Sequence, residues 1–295
     1  MSQLNLYPEI QINDEHLVNV ASVRQLSPFR YPGGKTWLVP QVLRWIQKRR
    51  DKNCKLFIEP FVGGGIISLT IAANGLADKC ILVEKDDEIA AVWKTLIYGD
   101  AKWLAQRIKS FHLTIESANE LLAETPKSIE EKAFQTILKN RTFHGGILAP
   151  GSGFLKNGEN GKGILSRWYP ETIANRILNI LHFKHRLEFI EGDAFEIIRD
   201  YLNDGSCTFF IDPPYTASKK KAGSRLYRFH EVDHELIFRS MHESSSAFML
   251  TYDDALEIRE FCNRYSLPFV RVPMKGTHHI KYYELLICDN IDWWN

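Results

Sequence analysis

The stretch K-L-F-I-E-P-F-V-G-G-G (55–65) decides the fold class together with the residues that follow it. An apolar run ends in an acid, Glu59, and leads into a loop of three glycines. I-I-S-L-T-I-A-A-N-G (66–75) has the character of a short helix with a glycine stop. C-I-L-V-E (80–84) is a second apolar strand that also ends in an acid. This order of strand, glycine loop, helix and strand predicts a βαβ unit, and therefore a parallel sheet.

Strand and helix patterns continue on both sides of this unit. Residues 36–50 show apolar side chains at helical spacing, and residues 88–140 have the character of helices. Residues 141–170 differ, because they are rich in glycine, aromatic and basic residues and have no long apolar period. Strands and helices resume after them and end in a terminal pair of strands. We therefore predict an α/β sheet interrupted by a helical and loop-rich insert.

The composition of the chain restricts the classes of function and the locations that are open to it. With 37 basic and 36 acidic residues in 295, the net charge of +1 gives no global argument for nucleic-acid binding, although local basic clusters remain available. No apolar run is long enough to span a bilayer, and no signal peptide is visible at the N-terminus. The five cysteines form no C-x-x-C pair and no zinc-type spacing. These features predict a reducing, cytoplasmic location with neither disulfides nor a metal site.

Acids end four of the predicted strands: Glu59, Glu84, Asp193 and Asp212. In open α/β sheets, ligands bind outside the carboxyl ends of the strands, so these acids are expected to converge on one crevice. The glycine loop matches neither a phosphate loop nor a dinucleotide fingerprint. An acid at the end of the strand after the loop suits two ribose hydroxyls. The combination favours a nucleoside-bearing cofactor without an obligatory pyrophosphate; the alternative is a set of turns and helix caps.

The motif I-D-P-P-Y (211–215) ends one buried strand on a rigid segment. Its two prolines fix the backbone and donate no hydrogen bond, which leaves carbonyls, a carboxylate and an aromatic ring. An exocyclic amino group of a base needs such acceptors and such a stacking surface. Hydrogen bonds to the carboxylate and to a proline carbonyl would stabilise the positive charge that grows on the nitrogen during attack. The alternative is a strand that simply ends in prolines.

Four motifs, in this order, resemble the Dam-like, D12 class of DNA adenine-N6 methyltransferases, which use S-adenosylmethionine. They are S-P-F-R-Y-P-G-G-K (27–35), F-I-E-P-F-V-G-G-G (57–65), L-V-E-K-D (82–86) and I-D-P-P-Y (211–215). The resemblance implies a Rossmann-like, S-adenosylmethionine-dependent methyltransferase sheet with helices on both faces and an inserted target-recognition domain. It divides the chain into an N-terminal extension (1–26), a catalytic domain (27–99 and 171–295) and the DNA-binding insert (100–170).

The resemblance also assigns site residues. The catalytic set, which would hold a flipped target adenine, is Asp212, Pro213, Pro214 and Tyr215. The cofactor-binding set is Tyr31, Lys35, Glu59, Pro60, Phe61, Gly63, Gly65, Glu84, Asp193 and Asp212. The insert and the basic segment after Tyr215 would contact DNA through Asn140, Arg141, Lys156, Lys162, Arg167, Lys219, Lys220 and Lys221. Neutralising the last three lysines is expected to cause a salt-sensitive loss of DNA affinity.

The implied activity is methyl transfer from S-adenosylmethionine to N6 of adenine in double-stranded DNA. No metal and no membrane are expected, a monomer is favoured, and a cognate restriction endonuclease is a candidate partner. Two alternatives remain open. One is methylation of another exocyclic amine, cytosine N4 in DNA or adenine in RNA. The other is a catalytically silent DNA-binding regulator.

Overall fold

The computed structural model describes residues 18, 20–31, 33–49, 54–158, 161–214, 228–229, 231–275 and 281–294. Within these ranges the chain forms seven β-strands and ten α-helices. The strands are β1 (Leu56–Glu59), β2 (Lys79–Glu84), β3 (Leu187–Glu191), β4 (Cys207–Ile211), β5 (Ala247–Asp253), β6 (Phe269–Lys275) and β7 (Lys281–Cys288). The helices are α1 (Val39–Lys48), α2 (Ile66–Ala73), α3 (Asp87–Ile97), α4 (Ala101–Ser110), α5 (Ile115–Ala123), α6 (Ile129–Thr142), α7 (Pro170–Ile180), α8 (Ala194–Tyr201), α9 (His234–Glu243) and α10 (Leu256–Arg264).

All seven strands form one sheet in the order β3-β2-β1-β4-β5-β7-β6. Strands β1 to β5 run parallel, as the βαβ pattern predicted, and β7 pairs antiparallel with both β5 and β6. The predicted terminal strand pair is therefore confirmed. The sheet order reverses between β1 and β4, which makes their carboxyl ends the switch point where open α/β sheets bind ligands.

The helices lie on both faces of the sheet, because the buried strands alternate their side chains between two cores. Phe57 and Phe210 point into the core shared with α1, α2 and α3, whereas Ile58 and Phe209 point into the core shared with α8, α9 and α10. The predicted fold class is confirmed: an α/β sheet with helices on both faces.

The helices α4 to α7 are inserted between β2 and β3. α6 packs along α3 and α4 packs along α7. Their buried residues, such as Ile108, Phe134 and Trp168, belong to the same core as Phe57 of β1. Residues 100–170 thus share a hydrophobic core with the sheet, and their role as a separate recognition domain stays a prediction.

Candidate active site at the switch point of the sheet

A cavity of about 1020 Å³ opens at the carboxyl ends of β1 and β4. Its volume is at the upper end of the range of about 300–1,000 Å³ that is usual for small-molecule sites. The following residues of the predicted catalytic and cofactor sets line it: Tyr31, Lys35, Glu59, Pro60, Phe61, Gly63, Gly65, Glu84, Asp193, Asp212, Pro213 and Pro214. The fold therefore brings together residues that lie far apart in the sequence. Tyr215, Lys219, Lys220 and Lys221 lie outside the described residues.

Two aromatic side chains enclose the glycine loop. A Cβ at Gly63 would lie 2.6 Å from Cε1 of Tyr31, and a Cβ at Gly65 would lie 2.6 Å from Cζ2 of Trp93. Both glycines have positive φ, 44° and 61°, a conformation that other residues rarely adopt. The indole N–H of Trp93 also donates to the carbonyl of Gly63, at 3.0 Å. The loop needs glycine because its backbone is packed against rings on two sides.

Glu59 holds the start of α2 in place. It is 4% exposed, and its Oε2 accepts hydrogen bonds from the amide of Ser68, at 3.0 Å, and from the Ser68 hydroxyl. These bonds satisfy donors at the N-terminus of α2 that lack partners within the helix. Burial raises the pKa of Glu59 to about 8, despite the opposing effect of the Ser68 hydrogen bonds. Its contacts in the described part of the chain are thus those of a helix cap at the cavity wall.

Glu84 organises the loop from the next strand. Its Oε2 accepts from the amide of Gly63 at 3.1 Å, and its Oε1 accepts from the amides of Lys85 and Asp86, each at 3.0 Å. A carboxylate has about four acceptor positions, so these three bonds leave room on Oε2 for a further donor from the cavity. Burial raises the pKa of Glu84 to about 7, which means that an added donor would favour its ionised form.

Asp193 follows β3 and begins α8, where its Oδ1 accepts from the amide of Phe195 at 2.9 Å. Its other oxygen, Oδ2, pairs with Lys85 Nζ at 2.9 Å. Burial alone would raise its pKa, but these two partners hold the pKa below the ordinary value. Beside it, Phe61 and Phe195 meet edge to face with centroids 6.3 Å apart, and both line the cavity. Phe195 was not predicted, because a phenylalanine inside a helix gives no sequence signal for a site.

Asp212 stands at the end of β4 and is held from two sides. Its Oδ1 accepts from Thr251 Oγ1 of β5 at 2.7 Å and pairs with Lys35 Nζ at 2.9 Å. Lys35 is only 3% exposed and also donates to the carbonyl of Gly33, at 3.0 Å. Since each contact fixes the same oxygen, the carboxylate is oriented by its neighbours rather than by solvent.

Glu284 of β7 is a cavity residue that the sequence analysis did not assign. It is 6% exposed, lies 3.8 Å from Lys35 Nζ, and pairs in register with Asp253, which also lines the cavity. Burial raises the pKa of Glu284 to about 7, and Lys35 opposes this rise. A glutamate inside the apolar strand Y-Y-E-L-L-I-C was the available signal, because a carboxyl group is seldom buried without a specific partner.

Asn140 and Arg141, predicted to contact DNA, lie inside the protein. Asn140 is 1% exposed; its Oδ1 accepts from the amide of Arg30 at 2.7 Å, and its Nδ2 donates to the carbonyls of Arg30 and Gly146 at 2.8 and 3.0 Å. Arg141 is 7% exposed and donates to the carbonyl of Pro28. As placed, they fix the 27–31 segment, so a DNA contact through either side chain stays a prediction.

The other predicted DNA contacts differ in exposure. Lys156 and Lys162 are exposed on the loop that links α6 to α7, whereas Arg167 is half-buried and lines the cavity. This loop is compact, since Phe143 and Phe154 form a β-bridge and pack edge to face. Among the described residues there is no group of three or more histidine, cysteine or acidic side chains placed to bind a metal. No helix in the described part of the chain is long and apolar enough to cross a membrane.

Comparison with known proteins identifies relatives of the chain. Residues 31–136 match the family model of the D12 class N6 adenine-specific DNA methyltransferases. The type II methyltransferase M.MjaIII of Methanocaldococcus jannaschii is 22% identical over 225 residues, which cover 71% of this chain and 76% of the relative. The type II beta methyltransferase M.BslI of a Bacillus species is 23% identical over 189 residues, 60% of this chain and 20% of the relative. This chain thus spans about a fifth of that second relative.

Solved structures give only a loose likeness. An rRNA methyltransferase, AviRa, of Streptomyces viridochromogenes is 11% identical, with 95% of this chain and 94% of that one covered, at a TM-score of 0.38. The fold class rests on the sheet itself. The matched residues contain the end of the first motif, Y-P-G-G-K, and the whole of the second and third motifs, but not I-D-P-P-Y. The family predicted from the motifs is nevertheless confirmed over residues 31–136, which match the D12 class N6 adenine-specific DNA methyltransferases, and both relatives are type II methyltransferases.

Proposed function

We propose that this protein transfers a methyl group from S-adenosylmethionine to N6 of an adenine in double-stranded DNA. The observation that carries the proposal is the carboxylate of Asp212, oriented by Lys35 and Thr251 at the sheet's switch point, in the same cavity as the glycine loop. The family match over residues 31–136 supports the same activity.

The cavity residues fit S-adenosylmethionine. The glycine loop lines the cavity, and Gly63 and Gly65 carry no side chain that could separate its backbone from a ligand. Glu84 has room on Oε2 for a ribose hydroxyl, and Phe61 and Phe195 offer aromatic edges and faces to an adenine ring. Tyr31, Lys35, Pro60 and Asp193 complete the proposed cofactor site, while Glu59 supports it from behind. When bound, the cofactor supplies a methyl group on a sulfonium, which is already activated for transfer.

The proposed task of the chain at the reacting atom is to hold the amino group and stabilise its charge. Asp212 and the carbonyl of Pro213 would accept the two N–H hydrogens of N6, while Pro214 keeps the segment rigid. The positive charge that develops on N6 then lies beside a carboxylate whose orientation is fixed in advance. The methyl group would pass directly from the sulfonium sulfur to N6, which leaves a neutral thioether, and N6 would then release one of its protons. The proposed reaction therefore requires neither a metal nor a covalent enzyme intermediate.

The base must leave the duplex to reach this cavity, at a cost of a few kcal/mol. Tyr215 is the proposed stacking partner of the flipped adenine. Lys156, Lys162, Lys219, Lys220 and Lys221 are proposed to contact phosphates, and the exposure of the first two supports their part in it. A cognate restriction endonuclease and a monomeric state remain part of the proposal.

The decisive variant is Asp212→Ala. We expect the transfer of labelled methyl to DNA to fall by at least about 10²-fold, while DNA binding persists, since preorganised contacts to a developing charge are worth about 10²–10³ in rate. Asp204→Ala is the matched control, because Asp204 lies before the opposite end of the same strand and is exposed. We expect this control to keep wild-type transfer.

Analysis of the methylated base separates the alternatives. N6-methyladenine in DNA supports the proposal, whereas N4-methylcytosine or a methylated RNA would assign the site to another exocyclic amine. If the wild-type protein binds DNA but transfers no methyl group to any nucleic acid, the protein is a DNA-binding regulator and not an enzyme.

A further inference from the structure

A buried arginine at the end of α6 is unusual in its surroundings. Arg141 is 7% exposed, and one of its terminal nitrogens donates to the carbonyl of Pro28. Its Nε is also buried and has no hydrogen-bond partner among the described residues. A buried guanidinium with an unused N–H is costly, because the desolvation of that group is not compensated. The side chain lines the same cavity as Asp212.

The charged groups around Arg141 increase that cost. Besides burial, the strongest influences on its pKa are Arg176, Arg30 and Arg167, which together with burial lower the pKa to about 9. All of them line the cavity, as Arg141 does. Arg176 donates to the carbonyl of Ser27 at 3.1 Å, so it reaches the same backbone segment that Arg141 holds. We call Arg30, Arg141, Arg167 and Arg176 the arginine cluster.

Four guanidinium groups that line one cavity carry like charges, and their mutual repulsion increases as water is excluded. An anion among them would remove the repulsion and supply an acceptor for the unused N–H of Arg141. The planar fork of arginine matches oxyanions with two oxygens, carboxylates and phosphates, better than it matches halides or neutral groups.

We propose that the arginine cluster is an oxyanion-binding site within the methyl-transfer cavity. The inference rests on the proposed function, because that function supplies both candidate ligands. Each of them presents an oxyanion. One is a phosphodiester of the DNA strand whose base enters the cavity. The other is the carboxylate at the amino-acid end of S-adenosylmethionine.

The test compares three probes on two cluster variants. The probes are S-adenosylhomocysteine, which carries the carboxylate, methylthioadenosine, which lacks it, and a DNA duplex of mixed sequence. Arg167→Gln and Arg176→Gln change half-buried members of the cluster, so they avoid the folding risk of replacing Arg141. Arg186→Gln is the matched control: Arg186 is also half-buried and donates to a backbone carbonyl, that of Ala77, but it does not line the cavity.

Calorimetric titrations of the small probes and anisotropy titrations of the duplex distinguish the two candidate ligands. If the cluster binds the carboxylate, each cluster variant loses about 10- to 100-fold in affinity for S-adenosylhomocysteine and keeps its affinity for methylthioadenosine. For a phosphodiester, duplex affinity falls and the slope of log K against log salt becomes less steep by about 0.9 for each lost phosphate contact, with both small probes unaffected. The control keeps all three affinities in either case.

Three results would overturn the oxyanion site. They are unchanged binding of all probes, an equal loss for both nucleosides, or the same loss in the Arg186→Gln control. The proposed function is judged separately, by methyl transfer with the wild-type protein. Wild-type protein that binds DNA without transferring a methyl group would end the proposed activity but leave the arginine cluster supported or refuted by the variants. Wild-type protein that binds none of the probes would overturn both.

Discussion

The conformation of the glycine loop at the end of β1 requires a residue without a side chain at position 63. A Cβ at Gly63 would lie 2.6 Å from Cε1 of Tyr31, in a residue whose φ is +44°. We expect Gly63→Ala to lower the free energy of unfolding by about 1–3 kcal/mol, because the tyrosine ring must move and the backbone becomes strained. Binding of S-adenosylhomocysteine should weaken as well. Urea unfolding and calorimetry measure the two effects.

Gly153→Ala is the matched control for this change. A Cβ at Gly153 meets no described atom within 4 Å, and its φ is not positive. We expect it to leave both quantities unchanged. If Gly63→Ala binds and unfolds like the wild type, the ring of Tyr31 does not constrain the loop.

Buried carboxyl groups make the stability of the protein depend on pH. Burial raises the pKa of Glu59 to about 8 and those of Glu84 and Glu284 to about 7, from an ordinary value of 4.5. Between about pH 4.5 and pH 8 the folded state therefore binds more protons than the unfolded state. The free energy of unfolding falls as pH rises through this range. Below about pH 4.5 this contribution is fully present.

Glu59→Gln isolates one part of that dependence. The amide oxygen of glutamine can still accept from Ser68, but it does not ionise. We expect the melting temperature of the variant to fall less than that of the wild type between about pH 5 and pH 8. His234, whose pKa burial lowers, acts in the opposite sense below its ordinary 6.5 and is common to both proteins. Parallel pH profiles of the two proteins would contradict the expectation.

At the scale of single residues, the sequence predicts where side chains lie better than what they touch. That acids at strand ends meet at one edge follows from a parallel sheet alone, and the four acids do line one cavity. That Glu59 binds Ser68 depends on how α2 leaves the loop, at a point where Gly65 lies close to the ring of Trp93. Likewise, nothing local distinguishes a buried Asn140 from one that faces solvent.

At the scale of elements, α6 anchors the segment that carries Tyr31 and Lys35. Its Asn140 makes three hydrogen bonds, to the amide and carbonyl of Arg30 and to the carbonyl of Gly146. We expect Asn140→Ala to cost about 2–4 kcal/mol in the free energy of unfolding, because buried backbone groups lose their partners. Faster hydrogen exchange at the amide of Arg30 should accompany the loss.

The control for this anchor is Asn263→Ala, since Asn263 is exposed on α10. It should leave stability and the exchange of the Arg30 amide unchanged. A protein with Asn140→Ala that keeps full stability and loses only DNA affinity would instead support the DNA contact predicted from the sequence.

Elements differ in how well the sequence predicts them. The parallel strands are continuous apolar runs bounded by acids or turns, since they are buried on both faces, and β1, β2 and β4 were predicted on that ground. α10 gave a weak signal: it buries only Ile258, Phe261 and Cys262, and Leu256 at its start is 81% exposed. Helices with so narrow an apolar face depend on contacts that a local pattern does not contain.

At the scale of the whole molecule, the insert and the sheet are expected to unfold together. α6 pairs with α3 through Lys132 with Asp87 and Lys139 with Glu88, and the buried residues of the insert continue the core beneath β1. An isolated segment 100–170 would expose the faces of α4 and α6 that now pack on α7 and α3. Because neither part can bury its apolar surface alone, we expect one cooperative transition.

Thiol labelling under increasing urea tests this cooperativity. Cys207 of β4 is fully buried and reports the sheet, and an Ala118→Cys substitution at a fully buried position of α5 reports the insert, which has no cysteine of its own. We expect both thiols to become reactive at the same urea concentration, with an exposed Lys102→Cys reactive throughout. If the thiol in α5 reacts at clearly lower urea than Cys207, residues 100–170 form an autonomous domain, and the division of the chain predicted from the resemblance holds in its strict sense.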